Sequence, residues 1–342
     1  MGLDFIALSQ EERYRLMASL GEQKYRVQQI EEWIFKHAVL DYTQMANLPK
    51  SLRDSLAEQN IPVLAAKVVA ENVDGGVTKL AVELADTQVV ESVIMRYRHG
   101  LTLCVSTQAG CKMGCAFCAT AKGGFARNLT RYEMLRQLLL ANSRLSARGE
   151  RVTRVVLMGM GEPLDNYEET VAFIRLAVGL CSISPRRITV STCGLVPGIE
   201  RLAAEGLPLT LSVSLNAADD ELRRSLMPIA QVYRVNTVLA AMHMYAESTK
   251  RRVTVEYVLI RGVNDREKHA RELVAKIKGG NFHVNLIPYN PVANSSLEAP
   301  LPASVRVFQE ILTHAGIAVT VRRGLGTKVH GACGQLRGNL QE

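Results

Sequence analysis

Apolar positions in the first sixty residues recur at helical spacing. Val27, Ile30, Trp33 and Ile34 form one stripe. Ser9 and Glu12 have the spacing of a capping box, and Pro49 with Ser51 opens a further helix carrying Leu52 and Leu56. The period changes near Pro62. Over 63–95 the pattern is strand-like, broken by Asp74-Gly75-Gly76, a hairpin turn signal. From Leu101 onward short apolar runs (101–106, 152–158, 187–192, 209–215, 253–259 and 283–288) alternate with helical stretches. One of these, 131–147, opens on a second capping box at Thr130 and Glu133. Six strand–helix units predict an α/β fold, with a parallel sheet wound by right-handed crossovers into an open or partial barrel. A full eight-unit barrel would need more repeats. Ligands belong at the C-terminal ends of such strands. A further run, 317–322, leads into a segment of different character. The expected organisation is a small helical domain (1–62), a strand-rich connector (63–100), the partial barrel (101–320) and a C-terminal basic loop (321–342).

Composition narrows the class of protein. The chain has 342 residues, 47% of them apolar and 22% charged, as in an ordinary soluble protein. No apolar stretch approaches the ~18 residues of a membrane span, and the N-terminus has no export signal. A cytoplasmic monomer away from membranes is the expectation. Lys and Arg outnumber Asp and Glu by 41 to 33, a net charge of +8. That surplus suits a polyanionic partner, although charge alone also fits a basic protein without one. The stretch 321–341 holds five glycines and no acidic residue, and Cys333 lies within it. It reads as a mobile basic loop presenting one thiol, or as a frayed tail.

The chain has seven cysteines, at 104, 111, 115, 118, 181, 193 and 333. Cys111, Cys115 and Cys118 are spaced C-x3-C-x2-C, so three thiolates can converge from one loop. A zinc site would need a fourth ligand, for which Cys104 is nearest. An iron–sulfur cluster would use the three alone and leave one iron open and reactive. The next strand, Val155-Val156-Leu157-Met158, runs into Gly159-Met160-Gly161-Glu162-Pro163. Exposed backbone and a carboxylate at that turn could hold the amino group of a bound amino acid. A C-x3-C-x-Phe-C loop followed by this turn resembles the radical S-adenosylmethionine (SAM) superfamily.

The closer resemblance is to the RlmN/Cfr family of RNA adenosine methyltransferases, over nearly the whole chain. It rests on Leu103-Cys104-Val105-Ser106, the cysteine loop, Gly123-Gly124-Phe125 with Asn128-Leu129-Thr130, and Met158 to Pro163. Further on it rests on Ser191-Thr192-Cys193-Gly194, Ser212-Val213-Ser214-Leu215, the run from Val284 through Pro291, and Ala332-Cys333-Gly334-Gln335-Leu336. The resemblance implies methylation of an adenine ring carbon in 23S ribosomal RNA, with tRNA a second candidate. The carbon is C2 or C8, and Pro163 leans towards C2. It implies one 4Fe-4S cluster on Cys111, Cys115 and Cys118, with an open iron for SAM. Two SAM molecules are used per turnover, and a low-potential donor such as flavodoxin supplies the electron. One SAM methylates Cys333. A 5′-deoxyadenosyl radical from the second removes hydrogen from that methyl group, and the carbon radical adds to the adenine ring. Glu91 then removes the ring proton and Cys104 attacks the Cys333 sulfur, which implies a Cys104–Cys333 disulfide.

Carried over by motif, the SAM contacts are Gly161, Glu162, Ser191, Ser214, Leu215, Asn216 and Asn290. Two departures stand out: Asn216 where the family has His, and Lys328-Val329-His330-Gly331 where the family is acidic. Glu91 shares a largely apolar face with Val89, Val93 and Met95, where desolvation would suit a proton acceptor. Alternation alone reads it instead as an edge-strand charge facing water. Cys181 and Cys193 are expected in the core, and histidines 37, 243, 269, 283 and 314 as structural or surface residues. Arg96, Arg98, Lys122, Arg127, Arg186, Arg187, Lys250, Arg251 and Arg252 form a group that could track phosphates.

Overall fold

The computed structural model describes residues 4–59, 61–322, 326 and 329–338. Lys328 and the last four residues of the tail lie outside the described residues. Helix α1 (Gln10–Ser19) begins at a closed capping box, with Ser9 Oγ accepting from Glu12 N at 3.2 Å and the Glu12 carboxylate accepting from Ser9 N at 2.7 Å. Helices α2 (Tyr25–Phe35) and α3 (Lys50–Glu58) follow. Val27, Ile30, Ile34, Leu52 and Leu56 are buried in one apolar cluster, each contributing about 1.5–3 kcal/mol by its removal from water. Asp4 ties this region to the rest. It is fully buried and accepts from Ala65 N and Arg136 Nε, both at 2.7 Å.

Strands β1 (Ala66–Asp74) and β2 (Val77–Leu84) form the expected hairpin. Gly75 and Gly76 both have positive φ, +53° and +89°, the backbone that a two-residue hairpin turn requires. Strand β3 (Val89–Tyr97) pairs antiparallel with β2, and β4 (Gly100–Cys104) pairs antiparallel with β3. These strands continue the barrel sheet at one margin. β3 is therefore an interior strand, and Glu91, 3% exposed, does not face water as alternation alone suggests.

A two-stranded sheet, β5 (Gln108–Gly110) with β6 (Phe125–Asn128), brackets the cysteine loop and the short helix α4 (Ala119–Lys122). Helix α5 (Arg131–Ser146) starts at the second capping box. The alternating units are then β7 (Val152–Leu157), α6 (Tyr167–Gly179), β8 (Ile188–Thr192), α7 (Val196–Ala204), β9 (Thr210–Ser214), α8 (Asp220–Leu226) and α9 (Val235–Thr249). They are completed by β10 (Val253–Leu259), α10 (Glu267–Ile277), β11 (Phe282–Pro288), α11 (Pro302–His314) and β12 (Ala318–Val321). One ten-stranded sheet runs β1-β2-β3-β4-β7-β8-β9-β10-β11-β12. From β4 to β12 every pairing is parallel. The apolar run at 317–322 is thus a seventh parallel strand, one more than the six units predicted. Among the described residues no helix is long and apolar enough to cross a membrane.

Candidate active site

The cysteine loop hangs from β5. Gly110 has φ +82°, and a Cβ there would lie 2.1 Å from Gly124 O, so only glycine permits the turn that brings Cys111 N onto Gly124 O at 2.7 Å. Cys111, Cys115 and Cys118 then line one cavity of about 160 Å³. The glycine turn after β7 supplies another wall. Gly161 has φ +102°, and a Cβ would come within 2.5 Å of the Gln108 side chain.

Gly161, Glu162, Ser191, Ser214 and Asn290 all line this cavity. Leu215 and Asn216 do not. Both are fully buried, and Asn216 spends its side chain on the fold, with Oδ1 accepting from Val258 N at 2.8 Å and Nδ2 against Met227 Sδ at 3.1 Å. Glu162 is also partly committed. Its two oxygens accept from Leu164 N at 3.0 Å and Cys193 N at 2.8 Å, while burial raises its pKa. The carboxylate thus braces the turns after β7 and β8 as well as facing the cavity.

Cys333 lines the same cavity, and a second one of about 50 Å³ shared with Cys104. The tail that carries it is docked. Gly334 O accepts from Ala119 N at 2.7 Å, Leu336 O from Thr120 Oγ1 at 2.6 Å, Cys333 O from Asn290 Nδ2 at 3.2 Å, and Pro291 O from Gln335 Nε2 at 3.0 Å. Over these residues the loop expected from its glycines is hydrogen-bonded to the cysteine loop and its neighbours, whose polar side chains and amides give the tail a seat. The implied Cys104–Cys333 disulfide is absent, since both are free thiols. Burial pushes the Cys104 thiol up to about 12, the neighbouring Cys333 adds to that, and the Arg322 guanidinium counteracts it.

Glu91 lines neither cavity. Its carboxylate pairs with Lys79 Nζ at 2.8 Å and accepts from the amides of Arg337 at 2.6 Å and Gly338 at 3.2 Å. The face expected to be apolar therefore holds a cation and two backbone donors.

Of the arginines grouped for phosphate contact, Arg96 is paired with Glu150 and Arg127 with Asp86 and Glu133. Cys181 and Cys193 are both buried in the core as expected, and Cys193 also forms part of the wall of the cysteine cavity. Three site residues carried no sequence signal. Gln108 accepts from Glu162 N at 2.9 Å, Arg223 donates from full burial to Cys193 O at 2.7 Å and Leu215 O at 3.1 Å, and Arg322 lines both thiol cavities. Arg322 was visible only as one charge in a basic tail.

The donor set fits an iron–sulfur cluster. Three free thiols with no amine among them are soft ligands, and they surround a cavity. Among the described residues no three or more His, Cys, Asp or Glu side chains are placed to hold a single metal ion. Cys104, the fourth ligand that zinc would require, lies on the other cavity beside Cys333.

Comparison with known proteins agrees with this arrangement. Residues 105–274 match the model of the radical SAM superfamily, and residues 3–61 match the ribosomal RNA large subunit methyltransferase N-terminal domain. A relative from Symbiobacterium thermophilum, named "Probable dual-specificity RNA methyltransferase RlmN", is 48% identical over 98% of this chain and 91% of its own. One of the same name from Carboxydothermus hydrogenoformans is 45% identical over 99% of both. The crystal structure of a radical SAM methyltransferase from Sphaerobacter thermophilus superposes with a TM-score of 0.92 at 41% identity, covering 98% of this chain and 100% of that one. With such identity sustained along nearly its entire length, the chain belongs to the RlmN family of radical SAM methyltransferases.

Proposed function

We propose that this enzyme methylates a ring carbon of adenine in 23S ribosomal RNA and tRNA, with Cys333 as the carrier of the transferred carbon. The observation that supports it most is the double position of Cys333, on the wall of the three-cysteine cavity and on the wall of the Cys104 cavity. A carrier needs both a place to be loaded and a thiol that releases it.

Cys111, Cys115 and Cys118 would hold a 4Fe-4S cluster with one iron open, and Gly161, Ser191, Ser214 and Asn290 would contact SAM, two molecules being used per turnover. When bound, the cluster and SAM supply a single electron, the methyl group and the radical that removes hydrogen from it, and the cluster takes back the unpaired electron of the adduct. The rest falls to the chain. The Cys333 sulfur is the nucleophile that takes up the methyl group. Its docking through Asn290 and Gln335 aims it into the cavity. Glu91 takes the ring proton once the backbone at 337 and 338 moves off its carboxylate. Cys104 as thiolate then attacks the Cys333 sulfur, so that an S–S bond forms as the S–C bond to RNA breaks and the released carbon takes a proton to become the methyl group. The cationic surplus of the chain attracts the RNA, and a flavodoxin-like protein donates the electron.

The experiment is mass spectrometry of nucleosides from unmodified 23S ribosomal RNA and tRNA after anaerobic turnover. The expected product is 2-methyladenosine. A methyl group on C8 would overturn the choice of carbon, and one on an exocyclic nitrogen, or none, would overturn the function.

A further inference from the structure

The end of the barrel away from the cysteine loop has a different chemistry. Thr189 and Thr210 stand at the N-terminal ends of β8 and β9, Thr102 and Arg154 at the third positions of β4 and β7, and together they line a cavity of about 200 Å³. Arg186 and Arg187 form its rim, Arg322 reaches it from the tail side, and no aspartate or glutamate lines it. Arg154 Nε is buried with no hydrogen-bond partner among the described residues. Such an orphaned donor needs an acceptor.

Clustered arginine is handled otherwise elsewhere in this chain. A larger cavity beside α5 is also lined by three arginines, but Arg127 pairs with Asp86 and Glu133, Arg131 with Glu169, and Arg136 with Asp4. At the barrel end Arg154, Arg186 and Arg187 meet without a lining carboxylate, while Arg322 is offset from within by the buried Glu256, and an anion from outside would offset the repulsion of the other three. The ligand they fit is tetrahedral and oxygen-rich. Guanidinium forks donate in pairs to phosphate oxygens, and three threonine hydroxyls remain to satisfy the others. At about 30 Å³ for a water molecule, the volume admits a phosphate or pyrophosphate.

We propose that this N-terminal mouth of the barrel is a phosphate-binding site, one that adjoins the Cys104–Cys333 cavity through Met95, Tyr97 and Arg322 and whose test does not depend on the methylation reading. The phosphate group is that of the free ion or of an RNA strand lying across the rim.

The test is calorimetric titration of inorganic pyrophosphate and phosphate onto the anaerobically reconstituted full chain, at constant ionic strength in chloride. Saturable binding near one per chain is expected. Arg154→Gln, and separately the exposed pair Arg186→Gln/Arg187→Gln, should each weaken it about tenfold or more. Arg175→Gln, on a surface pair with Glu205, should bind as the native chain does. Should Arg154→Gln not fold, the exposed pair decides the matter alone. Displacement of pyrophosphate by a short RNA would assign the phosphate to RNA, and its persistence would assign it to the free ion. Either supports the site. Absence of saturable binding, or unchanged affinity in the arginine variants, would overturn it.

Discussion

Cys104, on a strand before the cysteine loop, and Cys333, in the tail, form two sides of one cavity whose wall also carries Arg322. That shared cavity would set the conditions for the proposed release. With burial holding the Cys104 thiol at about 12 and Arg322 opposing the rise, Cys104 is protonated at neutral pH. Attack on a sulfur requires the thiolate. The release step should therefore quicken with pH, by about tenfold per unit across roughly pH 7 to 9. Arg322→Met removes the opposing cation and should slow release about tenfold at each pH, with Arg322→Lys in between. Decay of the RNA–protein adduct, followed on denaturing gels in single turnover, gives the rate. A profile flat in pH would contradict the assignment of Cys104.

The two thiols should also separate by variant. Cys333→Ala is expected to abolish RNA methylation while leaving iron content and reductive cleavage of SAM close to native, because Cys111, Cys115 and Cys118 are untouched. Cys104→Ala should instead accumulate covalent protein–RNA, since the carrier can still load but nothing frees it. Iron analysis, nucleoside mass spectrometry and a denaturing gel read all three outcomes. Full methylation by Cys333→Ala would refute the carrier role.

Local signals in the chain account for much of this arrangement. The glycine pair after Asp74, both capping boxes and six of the seven parallel strands follow from periodicity and turn chemistry, as does the clustering of Cys111, Cys115 and Cys118 in one loop. What was not legible depends on long-range contact. β12 is only four residues long, and its pairing with β11 makes it a strand. Arg223 and Gln108 look like ordinary polar residues until their carbonyl and amide partners are assembled around them. Alternation alone leaves Glu91 two readings, since it cannot say whether a strand is an edge. The neighbours β2 and β4 answer that, and the Lys79 ammonium comes from the first of them.

The Glu91–Lys79 pair gives a stability prediction that can be split from catalysis. The two side chains are 4% and 14% exposed. Glu91→Gln leaves a nearly buried ammonium without its counter-charge and should cost about 3–5 kcal/mol, read as a lower denaturant midpoint. Glu91→Gln/Lys79→Met should recover part of the loss by removing the stranded charge. For methylation, Glu91→Gln should stall at the RNA adduct, whereas Lys79→Met, though destabilised, should still turn over. Normal turnover by Glu91→Gln would remove Glu91 from the mechanism and leave the pair a structural one.

The buried ion pair between Asp4 and Arg136 makes an analogous case for how the N-terminal helices contribute. Arg136 projects from α5, and Asp4 lies at the head of the helical region, where its second oxygen accepts from Ala7 N at 3.0 Å. Asp4→Asn places a neutral amide against the guanidinium and should cost about 3–5 kcal/mol. The pair lies on neither thiol cavity. RNA-free SAM cleavage should therefore persist at temperatures where the variant is folded. Methylation of intact ribosomal RNA should fall further than cleavage does, because the N-terminal helices would no longer be held in fixed orientation to the barrel. Comparing the two rates on one reconstituted preparation tests this. A parallel fall in both would mean that the contact merely stabilises the fold and does not orient the RNA.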